Sequence, residues 1–139
     1  MRGTLFPAAQ TSKGKVLLAA LPPRQVAEVL ETPSRSGLSP QGGRNLDQLM
    51  DELSQVRARG WALADEELAP GVRSIAVPVR DGQGEVHAAM SVTVHAAETS
   101  RATLVDDHLP HLVRSASEVS ADWALWQSRP HAEVSVRVG

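Results

Sequence analysis

Ser12 and Lys13 lie in a Thr11-Ser12-Lys13-Gly14 turn just ahead of the apolar run Val16-Leu17-Leu18-Ala19-Ala20-Leu21. A helix starting there presents backbone N–H groups with no partner and a partial positive charge, a setting in which a carboxylate can be held. Gly14 permits close approach, and the amides of Ser12 and Lys13 would point at the ligand whatever their side chains are. Ordinary capping of the helix by Thr11 is the commoner use of such a turn. Asp65 opens the acidic run Asp65-Glu66-Glu67 at the end of an apolar stretch. It is the one acid of the three expected to meet a ligand hydroxyl, a metal or a proton, because a charge run in a turn is usually solvated. Ser74, Ser91 and Thr93 bring hydroxyls from two strand-like segments.

Other chemistry is less well supplied. His108 and His111 are three apart, but no HExxH pattern and no third ligand accompany them, so no metal site is expected. His87, His95 and His131 stand alone. Neither Ser74 nor Ser91 lies in a GxSxG elbow, which favours binding over acylation. Trp61, Trp123 and Trp126 read as packing or interface residues. No Walker or GxGxxG pattern occurs. The reading is of a non-enzyme with no catalytic residues and no cofactor.

The elements that position these residues follow from periodicity. Gly71 to Val94, GVRSIAVPVRDGQGEVHAAMSVTV, reads as a β-hairpin turning at Asp81-Gly82-Gln83-Gly84. With Asp81 paired to Gly84, Ile75 faces Met90, Val77 faces Ala88 and Val79 faces Val86 on an apolar side. Ser74 then faces Ser91 and Ala76 faces Ala89 on the other side, which also carries Thr93 and His87. Small residues and hydroxyls leave room above that side, and the hairpin alone makes a wet face and a pocket equally acceptable.

A short helix capped by Thr11 should stop at Pro22-Pro23, and a second should run from Pro23 to about Leu30 with Val26, Val29 and Leu30 on one side. Glu31 to Arg44 is a Pro, Gly and Ser-rich loop. Asn45 and Gln48 have capping-box spacing, and Leu46, Leu49, Met50, Leu53 and Val56 repeat at helical period until Gly60. That stripe is expected to cover the Ile75, Val77, Met90, Val92 face. Trp61 to Ala64 reads as a short strand. A long amphipathic helix should span 103–127, bent or begun at Pro110, and Glu133 to Val138 alternates like an edge strand.

Composition bounds the class. The chain has 139 residues, 42% of them hydrophobic and 3% aromatic, enough for one domain with a real core. A net charge of −2 with scattered Lys and Arg offers no stripe for a phosphate backbone, so the chain is not expected to bind DNA by itself. Without cysteine there is no disulfide or thiolate chemistry. No signal peptide or membrane-length apolar run is present, from which a cytoplasmic location is expected.

With these residues in view, the chain resembles the C-terminal effector-binding domain of the IclR (isocitrate lyase regulator) family of bacterial transcription regulators. The resemblance covers about Arg2 to Leu125 through GTLFPAAQTSKGKVLLAALP, LDQLMDELSQVRARGWALADEELAPGVRSIAVPVRD and GEVHAAMSVTVHA. Its DEEL, GVRSIAVPV and SVTVHA look most like the branch that controls aromatic-acid catabolism through the β-ketoadipate pathway.

The resemblance implies an α+β, GAF-like fold: a curved antiparallel sheet with helices packed on one face and a small-molecule pocket on the other. It divides the chain into a partial effector-binding domain, 1–127, and a tail, 128–139. It implies that backbone amides matching Ser12 and Lys13 hold a ligand carboxylate, and that side chains matching Asp65, Ser74, Ser91 and Thr93 complete the pocket. The ligand would be a small acid, aromatic or dicarboxylic.

Family members carry a winged helix-turn-helix, a linker helix and the first helix and strands of the effector domain ahead of the residue matching Arg2. The chain is therefore expected to be truncated at its N-terminus, either a fragment or a short reading frame, with an uncovered sheet edge that favours oligomers. DNA would be reached only through a helix-turn-helix domain outside this chain. The stretch 34–44, SRSGLSPQGGR, replaces the usual threonine-rich segment and leaves the pocket lid undetermined. Two rival readings stand beside the sensor: a ligand-free oligomerisation module, and, further behind, a hydrolase using Ser74 or Ser91.

Overall fold

The computed structural model describes residues 7–33, 35–41 and 43–130. The expected edge strand at Glu133 to Val138, together with His131, lies outside the described residues. Thr11 caps α1 (Ser12–Ala19), its side-chain oxygen accepting from the Gly14 N–H at 3.0 Å. Helix α2 (Pro23–Glu31) begins on Pro23, which needs no N–H there, and buries Val26 and Leu30 while Val29 stays exposed. Asn45 and Gln48 form the expected reciprocal capping box at the start of α3 (Leu46–Arg59), and Gly60 closes it in the left-handed region at φ 84°.

Three strands follow in the order β1 (Ala62–Asp65), β2 (Val72–Arg80), β3 (Val86–His95), all antiparallel. The α+β class and the antiparallel sheet are as expected, but the hairpin register is not. Ile75 faces Val92, Val77 faces Met90 and Val79 faces Ala88, while Ser74 faces Thr93 and Ala76 faces Ser91. The turn is longer than Asp81-Gly84: the Asp81 N–H donates to the Glu85 carbonyl at 2.8 Å, Gly84 takes φ 83°, and Arg80 pairs with Val86. As far as the Val79–Ala88 pair the slip is two residues, so the residues up to there keep their assigned faces, because side chains alternate with period two.

His87 and Val86 are the exceptions. The register shift between Val79 and Arg80 leaves His87 as the extra residue of a bulge, its ring 5.3 Å from that of Trp123 on the far side from the serines. Val86, expected on the apolar side opposite Val79, pairs with Arg80 and lines a hollow on the α1 side. Bulges re-aim side chains in this way.

Helices cover both faces of the sheet rather than one. The apolar side, Ile75, Val77 and Val79, packs against Leu104, Leu109, Leu112 and Ala116 of the C-terminal helical segment. The stripe of α3, expected there, lies on the opposite side, where Leu49, Leu53 and Val56 pack with Val16, Leu18, Ala62 and Ala76. The reason is size. Ala62 and Ala76 are small enough for α1 to lie close over the sheet, and α3 then packs with α1. Gly14 marks a separate close approach, of α1 to the turn that precedes it, since a Cβ there would fall 2.1 Å from the Ala8 carbonyl oxygen.

The C-terminal segment is not one continuous α-helix. A single turn, α4 (Arg101–Thr103), passes into a π-turn at Leu104–His108 and then α5 (Leu109–Ser128). The Leu109 N–H reaches back five residues to the Leu104 carbonyl. Pro110 has no N–H to give, and its ring would crowd the Asp106 carbonyl; the wider turn accommodates both.

Candidate functional site

Four of the six expected site residues share one side of the sheet. Ser12 is 2% exposed, and its Oγ accepts from the Ser74 hydroxyl at 2.8 Å, which fastens the first turn of α1 to β2. Ser74 stands opposite Thr93, and Ser91 stands opposite Ala76 beside it, so the three sheet hydroxyls form a cluster on adjoining strands. Ser91 is half-buried and Thr93 exposed. Lys13 points its side chain to solvent, and its place in the first turn of α1 is what leaves its backbone amide at the helix N-terminus.

Asp65 is not brought to this cluster. It was expected to end its strand near the hydroxyls, but it pairs with Arg73, and alternation turns it to the other face of the sheet. There its Oδ1 accepts from Arg73 Nε at 2.7 Å, and its Oδ2 lies 3.5 Å from Arg101 Nε. Arg73 also donates to the Thr99 carbonyl at 2.6 Å, so Asp65 sits inside an ion-paired strand end. Glu66, at φ 56°, accepts from the Gly71 N–H and shapes the loop that follows.

The hydrolase reading required a histidine beside Ser74 or Ser91. The Ser74 hydroxyl is committed to Ser12, and His87 is bonded to Asp81 at 2.7 Å on the far side.

Sequence reasoning missed the strongest polar cluster. Lys15, 1% exposed, donates from Nζ to the Leu63 carbonyl at 3.0 Å and to the carboxylates of Glu52 and Glu67. Arg44 bridges the same two carboxylates and also donates to the Ala9 carbonyl at 3.2 Å. Two cations and two acids thus join α1, α3, the end of β1 and the loop before α3. Lys15 sits on the sheet side of α1 among apolar positions, and that misfit in the stripe was the available signal.

Among the described residues two groups have shifted titration. Burial beside Trp61 lowers Arg59 from its usual value, with Glu52 opposing and Arg101 reinforcing the shift. For Asp81, desolvation raises the carboxyl, but hydrogen bonds from the Glu85 amide, the His87 ring and the Gln83 amide outweigh it and leave the group below the usual carboxylate value.

An open hollow of about 760 Å³ lies on the α1 side, bounded by Gly14, Leu17, Leu21, Pro78, Arg80 and Val86 among others. None of the six expected residues lines it. In this chain the hydroxyl cluster is a surface beside α1, and the hollow lies further toward the hairpin turn. Among the described residues no helix is long and apolar enough to cross a membrane.

The profile described as "Bacterial transcriptional regulator IclR C-terminal" matches residues 1–121. The Pca regulon regulatory protein of Pseudomonas putida is 38% identical over 120 residues, 84% of this chain and 40% of that protein. The Pca operon regulatory protein of Acinetobacter baylyi is 32% identical over 117 residues, 84% of this chain and 42% of its own length. Among solved structures, the inducer-binding domain of the PobR transcription factor from Acinetobacter, a double mutant in complex with 3-hydroxybenzoic acid, superposes with a TM-score of 0.71 and 30% identity. That match covers 83% of this chain and 66% of the PobR chain. The chain thus spans about 40% of the length of the curated relatives it matches.

Proposed function

From the premise that this chain belongs to the IclR family of bacterial transcriptional regulators, through their C-terminal domain, we propose that it is a ligand-sensing module for a small carboxylic acid. The observation that carries this reading is the bond between Ser12 and Ser74, which sets a helix N-terminus against the Ser74, Ser91, Thr93 face. The amides of Ser12 and Lys13 anchor the carboxylate, and the three hydroxyls bond the rest of the ligand. Asp65, tied to Arg73, is left with an indirect part: it orders the strand end beside Ser74.

The relatives support an aromatic or dicarboxylic acid. Two are named as regulators of pca genes, and the PobR domain was solved with 3-hydroxybenzoic acid. The role is regulatory rather than catalytic. Occupancy acts on DNA through a domain outside this chain, and it can do so only if the acid binds one arrangement of the assembly better than another. Homo-oligomers supply those arrangements. Val119 and Trp126, seven apart on α5 and both exposed, support self-association.

Calorimetry against hydroxybenzoates and dicarboxylates tests the proposal. One saturable site for at least one acid is expected; no binding by any of them would overturn the sensor and leave the oligomerisation module.

A further inference from the structure

A second polar hollow, of about 530 Å³, lies at the β1 edge of the sheet, at the opposite edge from β3. Its walls are Gln55 and Arg59 of α3, Trp61 just ahead of β1, Leu63 within β1, and Arg101 and Val105 of the α4 and π-turn corner. The Arg59 guanidinium sits 3.7 Å over the Trp61 ring, and its Nε donates to the Trp61 carbonyl at 2.8 Å. That leaves its two Nη ends without a partner among the described residues.

The nearby acids are already occupied. Glu52 reaches the hollow, but its two oxygens are taken by Lys15 and Arg44. Asp65 gives one oxygen to Arg73 at 2.7 Å and holds Arg101 only at 3.5 Å. Asp106, exposed at the rim, is the one acid lining the hollow whose charge is not drawn elsewhere. Two guanidiniums therefore meet one free carboxylate above an apolar floor of Trp61, Leu63 and Val105. Desolvation is the main cause that pulls Arg59 below its usual value, with Glu52 opposing it and the charge of Arg101 adding a smaller pull.

We propose that this groove is a second oxyanion site, which takes a small carboxylate with an apolar body between Arg59 and Arg101. An arginine fork matches a carboxylate's two oxygens, and the half-buried floor accepts the apolar body. The site shares no residue with the hydroxyl cluster, so it stands or falls independently of the sensor reading.

Benzoate is the probe, read in the 139-residue chain through the Trp61 indole N–H resonance and the calorimetric stoichiometry, with melting curves to show that each variant folds. A saturable Trp61 shift is expected. Arg59→Gln should weaken it about tenfold, the effect of losing one charge-assisted hydrogen bond, and Arg101→Gln several-fold. Ser91→Val should leave it unchanged. Inorganic phosphate, which has no apolar body, should bind at least about tenfold more weakly. A Trp61 signal that does not move, that survives both arginine substitutions, that disappears in Ser91→Val, or that answers equally to phosphate would overturn the assignment.

Discussion

Lys15 is the side chain whose removal should be felt most. Replacing it by Met strands Glu52 and Glu67 with only Arg44 between them, both acids being about a quarter exposed. Breaking a buried pair by removing one partner typically costs about 3–5 kcal/mol, and the partial exposure of the acids places Lys15→Met near about 3 kcal/mol. Urea unfolding measures it, and an unchanged midpoint would show the network to be ornamental. At Gly14 the argument is steric. Ala at this position must push its Cβ away from the Ala8 carbonyl, so Gly14→Ala should destabilise the chain by at least about 1–3 kcal/mol and loosen α1 from the turn before it. Ser91→Val tests binding. It should weaken the acid by about five- to tenfold, the loss of a single neutral hydrogen bond, while the melting temperature holds. Equal affinity in a titration would remove Ser91 from the site.

At the scale of elements, the hairpin turn is latched to α5. The Gly82 N–H donates to Gln127 at 2.7 Å, the Arg80 N–H to Ser120 at 3.0 Å, and His87 joins Asp81 to Trp123. Because Asp81 titrates below an ordinary carboxylate, its contribution is present at neutral pH. It begins to fade near the ordinary aspartate value of about 3.9 and is lost as the pH falls through the lowered value. The His87 and Gly82 resonances should therefore move together in acid, below about pH 4. Asp81→Asn should abolish that step, and a His87 resonance that makes the same move below about pH 4 in the variant would refute the latch.

For the molecule as a whole, ligand and assembly are the measurable quantities. An acid that binds only the folded chain, supplied at a hundred times its dissociation constant, stabilises it by about 2.7 kcal/mol, so melting curves should rise with the concentration of the right acid and ignore the wrong one. Light scattering should report dimers or larger assemblies, with Trp126→Glu shifting them toward monomer. A wild-type chain that is monomeric at every concentration would count against the oligomer.

Much of the fold was legible because it rests on local rules. The caps at Thr11 and Asn45, the stop at Gly60, the proline start of α2 and the alternating arms of the hairpin each depend on residues a few positions apart, and each formed as the pattern implies. The slip in hairpin register went unseen because Asp81 uses its side chain to bond the Gln83 and Glu85 amides, which lengthens the turn. Even so, the hydroxyls stayed on one side, since a two-residue slip preserves parity.

Tertiary structure decided which helix covers which face. Two amphipathic helices, α3 and α5, carry comparable stripes, and amphipathicity is blind to its partner. The choice fell to shape: the alanines of β1 and β2 admit α1 closely, and α3 follows it, while the broader Ile75 and Val77 side receives the longer C-terminal helix. The same packing buried Lys15 among acids far apart in the chain, turned Asp65 away from the serines, and gathered Arg59 and Arg101 around Trp61. Sequence determined the elements and the sidedness of the hydroxyls, because backbone periodicity sets both. The company each charge keeps was settled only when those elements packed, because ion pairs across the chain depend on distances no local rule encodes.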